Sequence, residues 1–320
     1  MKRVARRCHV FELFPYRRSS TAAIAAAAFL VAKPVTAQQT PPPAQPPPGP
    51  SKIVAGIDEA VKALDHIPRL KKLSPQAKKA LVEFIVGNTL FVLGHEMGHG
   101  VINEMNMPVL GREEDAADSF AITTAIKMNT KFSERVLEEQ IKGLVFSTKQ
   151  AKKEGDAPAF YDEHGLDPQR AYNIVCYMYG SNPEKYKQLA KDTKLPEERQ
   201  ESCIWDYKNV AWSWDEMLKP HLRKPDDPKV DIKINYQDSK KYAVQEEVLR
   251  QMGLFEALAS HLADRYVWPK PFVMEARECG EANARWKGRT LTLCYELAGD
   301  FADLFLGYWK TVPRKYREAL

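Results

Sequence analysis

The run Thr89-Leu-Phe-Val-Leu-Gly-His95-Glu96-Met-Gly-His99-Gly-Val-Ile102 carries two histidines four residues apart, with a glutamate directly after the first. On an α-helix, residues at i and i+4 lie one above the other on the same face. Both imidazoles can then reach one Zn²⁺, and Glu96 projects beside it, where it can take a proton from water. So short a motif also arises by chance, and its flanks decide its meaning. Leu81, Ile85, Asn88, Val92, His95, His99 and Ile102 recur at alternating spacings of four and three. That pattern predicts one amphipathic helix from about Gln76 to Glu104. The histidines point where the apolar residues point, and a buried histidine pair needs a partner such as a metal. Two core histidines hydrogen-bonded to carboxylates are the alternative, and that reading leaves Glu96 without a role.

Pro108 and Gly111 then break the chain, and Arg112-Glu113-Glu114-Asp115-Ala116-Ala117-Asp118-Ser119-Phe120-Ala121 opens a second predicted helix. Acidic residues in a first turn complement the helix dipole. Glu114 and Asp118 are also i and i+4 on one face, beside Ala117 and Ala121, whose small side chains allow close approach to the first helix. A pair of histidines needs a third protein ligand, and two histidines with a glutamate is a known zinc set. Glu114 is assigned that position. Asp118, one turn on, is placed to accept the other ring N–H of a ligand histidine. Glu113 is the rival third ligand, because one residue of error in helix phase exchanges the two; otherwise Glu113 and Asp115 read as solvated charges.

H-E-x-x-H followed by E-x-x-x-D resembles the gluzincin class of metallopeptidases, although only 14 residues separate His99 from Glu114. More closely, the chain resembles a domain-of-unknown-function family of secreted bacterial metallopeptidases whose label is itself inferred from motifs. The matching segments are Leu93 to His99, Pro108 to Asp118, Asp162 to Asn173, Glu278 to Ala284 and Leu293 to Leu297. The resemblance implies a zincin-like fold and peptidase class, with His95, His99 and Glu114 as ligands and Asp118 behind them, and no particular substrate.

The ends of the chain read differently. Lys2, Arg3, Arg6, Arg7, Arg17 and Arg18 precede the 12-residue apolar block Thr21 to Ala32, and Val35-Thr36-Ala37 resembles a cleavage site. Residues 1–37 are therefore expected to be an export signal. The apolar block is too short for a permanent transmembrane anchor. Residues 38–51, rich in proline, are an expected disordered tether, and 52–320 the metallopeptidase-like domain. Seven of the basic residues and one acidic residue lie before residue 38, so the formal net charge of +5 belongs to the signal. The remainder is near neutral, which gives no footprint for nucleic acid. Cys176, Cys203, Cys279 and Cys294 remain beyond the signal. An even count in an exported chain suggests disulfides, paired in sequence order, the second across a hairpin centred on Lys287-Gly288. Periplasmic or extracellular localisation follows.

Beyond the motif helices, 130–148 and parts of 161–214 read as helical. Tyr172, Tyr177, Tyr179, Trp205, Tyr207, Trp212 and Trp214 in the latter region suggest core packing. Residues 230–236, 272–277, 284–286 and 290–294 read as strands, 243–265 as one long helix and 297–309 as a closing helix. The expected class is α+β, mainly helical, with a small antiparallel sheet near the C-terminus. The function expected is zinc-dependent hydrolysis of peptide bonds in a peptide or protein substrate, with one Zn²⁺ per chain and Glu96 as general base. The competing class is a non-catalytic zinc-binding or partner-binding protein of the cell envelope. Tyr295 and His164 are candidates to stabilise the transition state, and His164 is also a candidate ligand of a second metal; each has a structural reading beside it, burial for Tyr295 and capping for His164.

Overall fold

A computed structural model describes residues 50–309; the expected signal and almost all of the tether lie outside them. Helices α1 (Pro50–Ala63), α2 (Pro75–Glu104), α3 (Glu113–Met128), α4 (Lys131–Glu154), α5 (Asp167–Ser181), α6 (Pro183–Asp192) and α7 (Glu197–Leu218) come first. Strand β1 (Ile232–Tyr236), helices α8 (Ala243–Met252) and α9 (Leu254–Arg265), strands β2 (Phe272–Arg277), β3 (Ala284–Lys287) and β4 (Thr290–Cys294), and helix α10 (Glu296–Tyr308) complete the order. The chain is α+β and mainly helical, as the sequence indicates.

Helix α2 is the axis. Ser74 caps it, its hydroxyl accepting the Ala77 N–H at 3.2 Å, and Pro75 occupies the first turn, where its missing N–H costs nothing. Asn106, at φ 51°, and Pro108 close it off. By length and composition α2 could cross a membrane, but 67% of its apolar window is buried inside the protein, as befits a core helix packed on several sides. Both hydrophobic clusters draw on it: Leu81, Phe84, Leu93 and Met97 serve the larger, and Phe91 the smaller, which gathers α3, α4 and α5.

Three glycines set how closely neighbours approach this axis. A methyl group on Gly98 would sit 2.8 Å from Ala117 Cα, and one on Gly94 would sit 3.4 Å from Ala121 Cβ. Helices α2 and α3 are thus in near backbone contact through small residues on both sides. On Gly100 the same methyl would sit 3.1 Å from the Trp286 ring, so β3 lies against α2 as α3 does.

The strands form one sheet in the order β1-β2-β4-β3. It is mixed, which corrects the expected antiparallel sheet. The chain crosses from β1 to β2 through α8 and α9, and a helical crossover returns a strand parallel. Strand β4 inserts between β2 and β3, parallel to β2 and antiparallel to β3. The β3–β4 turn is centred on Gly288 and Arg289, at φ 57° and 60°, one residue beyond the expected Lys287-Gly288. Two consecutive left-handed residues match a type I′ hairpin. The expected long helix 243–265 is broken at Gly253, which takes φ 64° and ends α8.

Cys176 is bonded to Cys203, tying α5 to α7 with a Cα separation of 5.0 Å, and Cys279 to Cys294 at 5.5 Å. Both pairs are the expected ones, and the second encloses the hairpin, with Cys279 five residues before β3 rather than on it. Arg277 of β2 is registered with Cys294 of β4, so the bond joins the exits of two parallel strands. Two disulfides fit an extracellular or periplasmic location. The aromatic set divides: Trp214 is 2% exposed and belongs to the core, whereas Trp205 and Trp212 are 66% and 65% exposed. They lie seven residues apart, on the outer face of α7.

Gly98→Val should lower stability by about 1–3 kcal/mol, because the added carbons meet backbone rather than a yielding side chain. Denaturant unfolding measures this; an unchanged midpoint would mean that α2 and α3 are free to separate.

Candidate metal centre

Each side chain of the site inherits its place from the packing of α2. His95, Glu96 and His99 lie on α2, Glu113, Glu114 and Asp118 on α3, His164 in the loop before α5, and Arg170 on α5. His95 Nε2 lies 3.2 Å from His99 Nε2 and 3.0 Å from Glu114 Oε2, and His99 Nε2 lies 3.3 Å from that same oxygen. Three ligand-type atoms therefore converge from two helices. The opposite ring nitrogens face other carboxylates: His95 Nδ1 is 2.8 Å from Asp118 Oδ1, and His99 Nδ1 is 2.8 Å from Glu113 Oε1. A neutral imidazole that donates its N–H from Nδ1 presents a bare lone pair at Nε2. Two such lone pairs and a carboxylate oxygen at this spacing repel one another unless positive charge lies among them.

Two observations test whether a metal fits. Glu114 Oε2 is buried and receives no hydrogen bond of acceptable geometry, although three ring nitrogens surround it. A tetrahedral ion bound at about 2.0–2.1 Å holds its ligands about 3.3–3.4 Å apart, close to the separations present here. The donor set fits a divalent ion. The electrostatics carry the same demand for positive charge. Burial works against a charged His95, yet Asp118 and then Glu114 outweigh it and push its pKa up to about 9. Contact with the His95 ring holds Glu114 down at about 2 against its own burial. Asp118, also buried, is brought to about 2 by Arg170 and His95.

Glu113 and Glu114 are separated by this geometry. Glu114 faces the inner nitrogens, whereas Glu113 stands behind His99 and also accepts from Asn103 Nδ2 at 3.2 Å. Glu113 is the exposed first-turn charge that the sequence suggested, and it also meets His99 and Asn103. Arg170 is the residue that the sequence reading missed. Its Nε and Nη2 donate to Asp118 at 2.7 and 2.8 Å, a forked pair that fixes the carboxylate behind His95. It lies within the segment Asp162 to Asn173, but no local pattern distinguishes it from any helix arginine.

Glu96 accepts the Trp286 N–H at 2.7 Å, across 190 residues of chain. Burial raises its pKa, opposed by His95, His99 and this N–H. His164 joins the cluster: Nε2 lies 2.8 Å from Glu114 Oε2, Nδ1 lies 3.3 Å from Asp162 Oδ1, and the ring stacks on His95 at 5.6 Å. The Asp162 carboxylate also accepts the His164 backbone N–H, so the capping role is real but incomplete. Tyr295 does not take part. It is fully buried, and its hydroxyl donates to Gln237 O at 2.8 Å, which settles its role as structural.

The three histidines, Glu96, Glu113, Glu114 and Arg170 line an open cleft of ≈ 1260 Å³, larger than a drug-sized pocket and roomy enough for an extended chain. One wall is β3, the edge strand of the sheet.

Residues 59–218 and 235–320 match a family model described as "Putative metallopeptidase". The chain belongs to this family. No curated protein and no solved structure matches it. Membership implies a metal ion and peptide or protein substrates, and His95, Glu114 and His164 lie close enough together to hold an ion.

Glu114→Ala should lose most of the bound metal, and Glu113→Ala only about the 10–100-fold in affinity typical of a residue supporting a ligand from behind. Elemental analysis and metal titration of both variants decide between them, and the reverse order would exchange their roles.

Proposed function

We propose that this protein is an exported zinc-dependent peptidase, with His95, His99 and Glu114 holding one Zn²⁺. The observation that carries the proposal is the convergence of His95 Nε2 and His99 Nε2 on the buried Glu114 Oε2, an oxygen without a hydrogen bond. Nitrogen and carboxylate donors with a fourth position open to a cleft suit catalytic zinc. When bound, zinc supplies Lewis acidity, acidifying water and polarising a carbonyl.

The chain's own groups do the rest. Glu96 takes a proton from the attacking water and returns it to the leaving amine, and its raised pKa suits both halves of that exchange. The Trp286 N–H holds this carboxylate in one orientation. Asp118, fixed by Arg170, keeps the His95 ring turned inward, and Glu113 does the same for His99. His164 reaches the cleft, and we assign it the substrate oxygen as its partner in the transition state. The outer edge of β3 offers the carbonyls of Ala284 and Trp286 to an extended peptide lying beside Glu96, which itself holds the Trp286 N–H. A non-catalytic site would have no use for a carboxylate held in this way at an open cleft.

Glu96→Gln should keep about one zinc per chain while turnover of a mixed peptide pool, followed by mass spectrometry, falls by at least about 10²-fold. The wild type should lose activity to a chelator and regain it with added zinc. Full activity in the Gln variant would overturn the role of Glu96.

A further inference from the structure

The hairpin beside the catalytic residues carries Arg285, Lys287 and Arg289 on the wall of the cleft. Alternation along β3 turns Trp286 toward α2, where its ring meets Gly100, and so turns Arg285 and Lys287 to the other face. Arg289 projects from the left-handed turn. Lys287 and Arg289 are exposed, and among the described residues neither has a carboxylate within ion-pair distance. Arg285 meets Glu281 at 3.2 Å with both side chains largely in water, a weak pairing that a ligand can displace.

The other charges of the cleft are differently placed. Arg112 is held by Asp115 and Arg170 by Asp118. Glu113 and Glu114 face the histidines, and Glu96 faces the Trp286 N–H. Glu104 and Glu163 also line the cleft, from the last turn of α2 and the loop before α5, and Glu104 follows by one helical turn the Gly100 that packs on Trp286. Uncommitted charge of both signs therefore lines the cleft, and the positive part is gathered on the hairpin, on the strand that a bound peptide would lie along.

Resting on the peptidase reading above, we propose that the cleft selects acidic peptides, with Lys287 and Arg289, assisted by Arg285, recognising Asp or Glu side chains of the substrate. A strand advances about 3.3 Å per residue and the chain reverses at Gly288-Arg289, so Arg289 lies no more than about 7 Å along the hairpin from Trp286, whose N–H meets Glu96. The preferred acidic residues therefore fall within about three positions of the cleaved bond. Side chains directly opposite on paired strands come within about 5 Å, close enough for each cation to meet a carboxylate.

Binding and turnover are tested separately. Three labelled peptides of equal length, carrying Glu, Gln or Lys at the variable positions, are titrated by fluorescence anisotropy against zinc-loaded Glu96→Gln protein, at low salt and at about 0.15 M salt. The Glu peptide should bind about tenfold more tightly than the Lys peptide at low salt, with the gap narrowing as salt rises. Adding Lys287→Glu and Arg289→Asp should reverse the order. Aspartate is chosen at 289 because it tolerates a left-handed backbone. Zinc content and the unfolding midpoint confirm that this variant is folded. Equal affinities, no binding by any of the three, or a preference unmoved by the charge reversal would overturn the proposal. Wild-type turnover of the Gln peptide is read independently. Its absence beside an acidic binding preference would remove the peptidase reading and leave the recognition standing.

Discussion

The near contact between Gly98 of α2 and Ala117 of α3 is the constraint on which the site depends. Helix axes separated by ordinary side chains stand 8–10 Å apart, and a short carboxylate would then fall short of the histidines opposite. Small residues at 94, 98, 117 and 121 bring the backbones together. Glu114 and Asp118, flanking Ala117, are thereby delivered to opposite sides of the same imidazole. The apolar interior on the remaining faces of α2 holds this approach fixed. The contribution of the core to chemistry is therefore indirect: it makes the separation of two helices a constant.

Given that separation, the charges follow. Glu113, Glu114 and Asp118 meet His95, His99 and His164 in a partly buried space, where each sign of charge is costly without the other. Asp118 is tolerated because Arg170 and His95 both bond it, and Glu114 because the ring nitrogens surround it. The cluster attracts cations by construction: the acids are held charged while the inner lone pairs converge. Glu96 is pushed the other way, toward holding its proton, by the burial that keeps it beside the same histidines. Glu114 and Glu96, the proposed ligand and the proposed base, thus differ in proton affinity although both are glutamates that feel the charge of the same rings.

The sheet supplies the second wall by an equally physical route. Gly100 makes room for the Trp286 ring, and the ring's own backbone N–H then reaches Glu96. Because β4 is threaded between β2 and β3, β3 is left as the edge strand, with one side unpaired along the cleft. The Cys279–Cys294 bond fastens the chain immediately before that strand to the end of β4. An edge strand is ordinarily a hazard for aggregation, and the basic residues on this hairpin are a usual means of blunting it. Here the same charges lie on the wall of the cleft.

Local sequence determined whatever depends on helix and strand periodicity. His95 and His99 share a face because 3.6 residues make a turn. Residues 272–277 form a strand in which Phe272, Met274 and Ala276 face inward and alternate with Val273, Glu275 and Arg277. The small residues at 117 and 121 marked a close approach before any partner was visible. Periodicity is blind to what lies across space. It left Glu113 and Glu114 interchangeable, because the phase of α3 is set by its packing on α2 rather than by its own residues. It gave no sign of Arg170, whose role exists only because α5 passes behind Asp118, or of Trp286, which acts through a backbone N–H that every residue but proline possesses. It made the sheet antiparallel because strand order is a property of the whole chain, and it sent Trp205 and Trp212 inward because hydrophobicity records preference and not position. The sequence by itself determined which chemistry was available, since ligand spacing on one helix is local geometry. Only the tertiary structure decided which carboxylate, which supporting arginine and which strand join it, since those are contacts between elements whose separation no local rule sets.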